Sequence, residues 1–134
     1  MLQKRELKSI MDETPASSTG TESLTRALSH GRERLRLCSD ETHALVQALQ
    51  GVKGKAFIFG SRTQLDKRGG DIDLLVETDV ESAYRVGQDI TVRFRMRCDE
   101  KIDVFVVDPN HVDPSINVFY RGIRAEAIPF YEGV

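Results

Sequence analysis

Two aspartates one residue apart, Asp71 and Asp73, head an apolar run, Ile72-Asp73-Leu74-Leu75-Val76. On a strand, residues two apart point to the same side, so the two carboxylates project together while Ile72 and Leu74 turn inward. Carboxylates held that close repel each other unless a cation sits between them. Magnesium suits the place, because it prefers hard oxygens and is usually held by one or two carboxylates together with substrate phosphates. A third acid, Asp103, stands near the start of another apolar stretch, Ile102 to Val107. The three acids make a candidate metal and catalytic set. Other readings stay open: acids at strand starts are often simply solvated ends, and calcium is a weaker rival because no EF-hand-like spacing is present.

A phosphate-binding end lies just upstream. The apolar run Ala56-Phe57-Ile58-Phe59 stops at Gly60-Ser61. A short helix opening at Ser61 would offer backbone N–H groups and partial positive charge to a phosphate. Glycine lets a phosphate approach the backbone, and the Ser61 hydroxyl adds a hydrogen bond. Arg62, Lys67 and Arg68 are cations able to pair with a triphosphate. Gly69-Gly70 reads as a tight turn that delivers Asp71. Gly60, Ser61, Arg62 and Gly70 are therefore the candidate nucleotide-binding residues. Taken singly, a Gly-Ser is more often a simple turn, and for Gly-Gly an ordinary turn is an equally good reading. No Walker motif and no Gly-x-Gly-x-x-Gly occurs, so neither the P-loop nor the dinucleotide fold is supported.

The elements that must position these residues follow from pattern. Residues 1–34 read as an extension, partly helical or flexible, with short helices over Gln3–Met11 and Glu22–Leu37 around a Pro/Gly/Ser/Thr stretch. The domain runs over 35–134. Asp40 is the expected N-cap of a helix over Glu41–Gln50. Strands are expected over Lys55–Phe59, Asp71–Glu77 and Lys101–Val107. Thr91 to Cys98 alternates strictly and fits a strand, but Ala83, Val86, Ile90 and Phe94 keep a helical register, and a helix is the preferred reading. Pro114 opens a last helix to about Ala125. Strands and helices interleaved in this way give an α/β (α+β) class, a small mixed sheet flanked by helices.

Bulk properties exclude several roles. The chain has 134 residues, 40% apolar and 30% charged, with a net charge of −2. That charge gives no general attraction to a polyanion, so direct nucleic-acid binding is not expected. The two cysteines, Cys38 and Cys98, form neither a metal-binding spacing nor a disulfide framework, which fits a cytoplasmic protein. No apolar run approaches a membrane span. The three scattered histidines do not suggest zinc.

Phe59-Gly60-Ser61-Arg62, then Gly70-Asp71-Ile72-Asp73-Leu74, then Ile102-Asp103-Val104 together resemble the minimal nucleotidyltransferase domains of the DNA polymerase β superfamily. The pattern is similar to that of antitoxin subunits in HEPN/MNT toxin–antitoxin pairs, and covers about residues 35–133. The resemblance implies a nucleotidyltransferase fold, magnesium as cofactor, ATP as co-substrate, and transfer of AMP to a tyrosine hydroxyl of a partner HEPN-type ribonuclease toxin. It implies that Asp71 and Asp73 ligate the metals, that Asp103 completes the site and helps deprotonate the acceptor, and that Gly60 and Ser61 hold the phosphates. The chain departs from the family at Leu65, where many members have glycine, at Gly70-Asp71 in place of Ser-Asp, and in a loop one residue shorter. Two alternatives remain: a contact-only antitoxin without catalysis, and a nucleotidyltransferase acting on a small molecule such as an antibiotic. The second would need an acceptor domain for which the chain has no room.

Overall fold

Apolar residues at positions 56–58, 72–76 and 102–107 alternate between two faces of one sheet, and helices cover both. The structure, a computed structural model, describes residues 33–79 and 81–133. The helices expected over Gln3–Met11 and Glu22–Leu37 lie outside the described residues, except for 33–37 of the second, which form a turn and irregular backbone and not a helix. The described elements are α1 (Ser39–Ala48), β1 (Gly54–Phe59), a single 3₁₀ turn (Gly60–Thr63), β2 (Ile72–Glu77), α2 (Ala83–Arg95), β3 (Ile102–Val107), α3 (Pro114–Glu126) and β4 (Ile128–Gly133). The class is mixed α/β, with a four-stranded sheet in the order β3-β2-β1-β4. β1 runs antiparallel to both neighbours, whereas β2 and β3 are parallel, joined through α2 as parallel neighbours require.

One face of the sheet packs on α1 and α2. Ile58, Leu74, Val76 and Ile72 meet Leu45, Leu49, Ile90 and Phe94, all fully buried. The other face carries Phe57, Leu75 and Val107 against Ile116, Tyr120 and Ile123 of α3. The two-residue period of β2 therefore assigns Asp73, Leu75 and Glu77 to the α3 side.

One expectation changes, one holds, and one strand is added. The cap of α1 is Cys38, not Asp40: the Glu41 carboxylate, at the third helical position, accepts the Cys38 N–H at 2.9 Å, as in a capping box. Sequence scanning favours the usual small polar cap residues, and cysteine hides the signal. The alternating stretch 91–98 is helical to Arg95, as preferred. Phe94 is buried while Val92 and Met96 stand exposed, so the alternation reflects arginines facing solvent, not a pleat. The last strand, β4, has no counterpart among the expected elements, and it contains Pro129. Pro129 is tolerated because β4 is an edge strand paired only to β1 and lies at an irregularity in that pairing.

α3 is tied to the sheet by a polar contact as well as by its apolar face. Glu77, 9% exposed at the end of β2, accepts the Tyr120 hydroxyl at 2.5 Å and the Arg124 Nε–H at 2.7 Å. The Arg124 guanidinium also lies 4.2 Å from the centre of the Phe57 ring. Burial, with the Glu77 hydrogen bond and charge adding to it, pushes the Tyr120 phenol up to about 12. The residue therefore stays neutral and acts here as a hydrogen-bond donor. Among the described residues, no helix is long and apolar enough to cross a membrane.

Candidate active site

Asp73 and Asp103 are register partners on adjacent parallel strands. Across the other side of β2, Phe59 stands opposite Asp73. The row Phe59–Asp73–Asp103 thus crosses three strands at one end of the α3 face. The next row along, Phe57–Leu75–Phe105, is apolar and packs toward α3. The apolar rows are covered and the acidic row is left at the margin: Asp73 is half-buried and Asp103 is exposed. Asp71 immediately precedes β2, half-buried, and shares the parity of Asp73.

The carboxylates sense one another. Partial burial raises the Asp73 pKa above the ordinary carboxylate value, and the negative charges of Asp103 and Asp71 raise it further. This is the like-charge arrangement in which one member resists ionisation unless a cation is supplied. Among the described residues, no group of three or more His, Cys, Asp or Glu side chains is gathered at metal-binding geometry. The three acids share one corner of the sheet without converging on a single point. Their chemistry, all hard carboxylate oxygens on adjoining backbone, fits a divalent cation of the magnesium type.

The Gly60–Thr63 turn forms the wall of this corner. Gly60 has φ +77°, and a Cβ there would fall 2.3 Å from Asp73 Oδ2. Only glycine allows both the left-handed backbone and a carboxylate against it. Ser61 lies against the second glycine, because a Cβ on Gly70, at φ +87°, would fall 2.5 Å from Ser61 Oγ. The expected short helix at Ser61 is a single 3₁₀ turn, closed by Thr63 Oγ1 donating to Gly60 O at 2.7 Å. We expect Gly60→Ala to cost about 1–2 kcal/mol through the left-handed backbone alone. The displaced Asp73 carboxylate should reduce any metal-dependent turnover by about 100-fold. Urea unfolding and a turnover assay on the same preparation check both effects.

Of the residues singled out in the sequence, the structure brings together Asp71, Asp73, Asp103, Gly60, Ser61 and Gly70. Arg62 is placed differently. Its guanidinium is buried and donates to Glu41 Oε1 at 2.9 Å and Oε2 at 3.1 Å, to Arg36 O at 2.7 Å and to Gly70 O at 3.1 Å. Those donors are engaged within the protein, so Arg62 supports the site from beneath. Lys67 and Arg68 remain exposed on the loop.

Sequence reading missed two supporting residues. Nothing in the sequence singles out Glu41, an acid in the first turn of α1; only its hydrogen bonds from Arg62 show that it anchors the turn. Arg36, before α1, donates to three carbonyls of the 61–70 loop. A separation of 25 to 33 residues leaves no local signal for such contacts. No protein-family model matches the chain, and no curated protein matches it at a significant level.

Proposed function

We propose that this chain is a minimal nucleotidyltransferase of the DNA polymerase β superfamily that moves AMP from ATP to a hydroxyl on a partner protein. The observation that carries this reading is the in-register pair Asp73–Asp103, with Asp71 beside it and Gly60 moulded to the Asp73 carboxylate. Three mutually repelling acids beside a glycine-walled turn are costly for a fold and useful for phosphoryl-type transfer, which needs positioning and charge neutralisation more than covalent chemistry.

Asp71 and Asp73, with Asp103 completing the set, would hold magnesium, which when bound supplies charge neutralisation at the phosphates. Gly60 and Ser61 orient the triphosphate: the glycine backbone admits its close approach, and the serine hydroxyl donates to it. Asp103, exposed on the edge strand, is reachable by an acceptor and takes its hydroxyl proton. The acceptor oxygen then bonds to the α-phosphorus, the bond to the β-phosphate bridging oxygen breaks, and pyrophosphate leaves. A tyrosine of a HEPN-type ribonuclease toxin is the acceptor suggested by the antitoxin-like motifs. The protein would then act in the cytoplasm as the neutralising half of the pair.

The test is incubation of the purified chain with α-labelled ATP, magnesium chloride and the protein encoded beside it. Label should appear on the partner with wild type and not with Asp71→Ala. An absence of label with wild type would sink the catalytic reading. Full neutralisation of the partner by both Asp71→Ala and Asp103→Ala would favour the contact-only alternative.

A further inference from the structure

The segment from Ser61 to Gly70 must hold one shape if phosphates are to rest on it, yet its own sequence gives it little reason to. Residues 64–70 are exposed. Both Gly69 and Gly70 have positive φ, a conformation reached at no steric penalty only by a residue with wide backbone freedom. No side chain of the segment joins either apolar core cluster. Such a loop ordinarily opens readily.

Inside the segment, Arg62 Nε donates to Gly70 O at 3.1 Å; the side-chain restraint on Ser61, Gln64 and Gly69 comes from outside it. Arg36 Nη2 donates to Ser61 O at 3.0 Å and to Gly69 O at 2.9 Å, so one nitrogen joins the two ends of the segment. Its Nε donates to Gln64 O at 2.8 Å, which ties down the middle. The Arg36 backbone is itself locked to the turn: its N–H donates to Arg62 O at 2.8 Å, and its carbonyl accepts from Arg62 Nη1 at 2.7 Å. Arg62 in turn is seated on Glu41 of α1. A planar guanidinium with donors in a fixed fork can satisfy three carbonyls at once, whereas a lysine ammonium on a flexible stem cannot reproduce that fork.

From this geometry we infer that Arg36 is a positioning residue for nucleotide: it clasps the 61–70 loop into the shape that receives the triphosphate, without touching the aspartates. The inference rests on the nucleotidyltransferase reading for its ligand, and on the loop contacts alone for the clasp. Asp73 is held by the β2 ladder, and the Gly60–Thr63 turn keeps its Arg62 anchor, so loss of Arg36 loosens the loop and leaves the acidic row in place.

The experiment compares wild type, Arg36→Ala and Arg36→Lys in the full chain. Trypsin cleavage after Lys67 and Arg68, read by mass spectrometry, reports loop opening without reference to function. Binding of ATP in magnesium chloride by calorimetry, and KM and kcat with the partner protein, report the role. The clasp predicts cleavage at those two bonds at least tenfold faster in Arg36→Ala. It also predicts an ATP Kd and KM raised about tenfold with kcat within about threefold, and an intermediate Arg36→Lys. Equal cleavage in all three proteins would overturn the clasp. Faster cleavage with wild-type ATP affinity would overturn the positioning role while leaving the catalytic reading intact. Failure of wild type to bind ATP would overturn the catalytic reading and the role together, with the cleavage rates still deciding whether Arg36 holds the loop.

Discussion

Asp73→Asn is expected to abolish transfer while leaving the protein as stable as wild type, or more so. On the nucleotidyltransferase reading, removing a carboxylate that would hold magnesium should cost several kcal/mol of transition-state stabilisation, on the order of 1,000-fold in rate. The stability effect runs the other way. Asp73 is partly desolvated and faces Asp103 across the strand pair, with Asp71 nearby. Like charges opposed on neighbouring strands destabilise by on the order of 0.2–1 kcal/mol, so their relief should raise the melting temperature by roughly 1–6 °C at pH 7. The pH dependence fixes the sign. The folded-state pKa of Asp73 lies above its unfolded value, so the folded protein binds this proton more readily. Its contribution to stability is fully present below the unfolded pKa and is lost as pH rises through the folded one. Asp73→Asn lacks that loss, so its advantage over wild type should be absent near pH 3 and full at pH 7. Magnesium should raise the melting temperature of wild type by mass action and leave that of the variant unmoved. Melting curves from pH 3 to 7, with and without magnesium chloride, check this. A variant less stable than wild type at pH 7 would mean that Asp73 is a structural residue.

The second large effect is on folding itself. Arg62→Ala leaves the Glu41 carboxylate buried without its bidentate partner. Removing one member of a buried ion pair costs about 3–5 kcal/mol, because the remaining charge keeps its desolvation penalty without compensation. Burial tends to raise the Glu41 pKa, but hydrogen bonds from Arg62 and from the Cys38 N–H outweigh it, together with the Arg62 charge, and hold Glu41 below the ordinary value. Arg62 is correspondingly raised, chiefly by its hydrogen bond to Glu41. For Glu41 the linkage sign is the reverse of that for Asp73: the stability it contributes is present above its unfolded pKa and lost as pH falls through its folded one. Wild type should therefore lose stability on acidification below about pH 4.5 more steeply than Arg62→Ala does. The double variant Arg62→Met with Glu41→Leu should recover most of the loss, since replacing a whole buried pair by apolar groups is often close to neutral. Urea unfolding of the single and double variants decides it. A single variant within 1 kcal/mol of wild type, an order-of-magnitude threshold for a net hydrogen bond, would show the pair to be incidental.

These two arginine and aspartate sites differ in how far they could be read from sequence. Asp71 and Asp73 were legible because a strand has a strict period of two: spacing alone puts both carboxylates on one side. Asp103 was legible as a charge inside an apolar run. The helix over Ala83–Arg95 followed from its apolar register in spite of the competing alternation. β4 was hidden by Pro129, which is acceptable only on an edge strand, and being an edge strand is a property of the assembled sheet. In the sequence alone Arg62 reads as a phosphate ligand, since a cation beside a Gly-Ser turn has two possible uses. Which use applies depends on what lies beneath it, and Glu41 is 21 residues away in sequence.

Local pattern accounts for the identity and parity of the acidic residues, the glycines that permit a left-handed turn, and the order of the described helices and strands up to α3. These depend on local geometry, on periods of two and 3.6 and on steric limits at a single residue. The register of Asp103 with Asp73, the place of the acidic row at the margin of α3, and the hold of Arg36 and Arg62 on the loop become visible only in the folded chain. Each of those facts joins segments tens of residues apart. Such contacts are selected by the packing of the whole sheet and its helices, which no single stretch of the chain encodes.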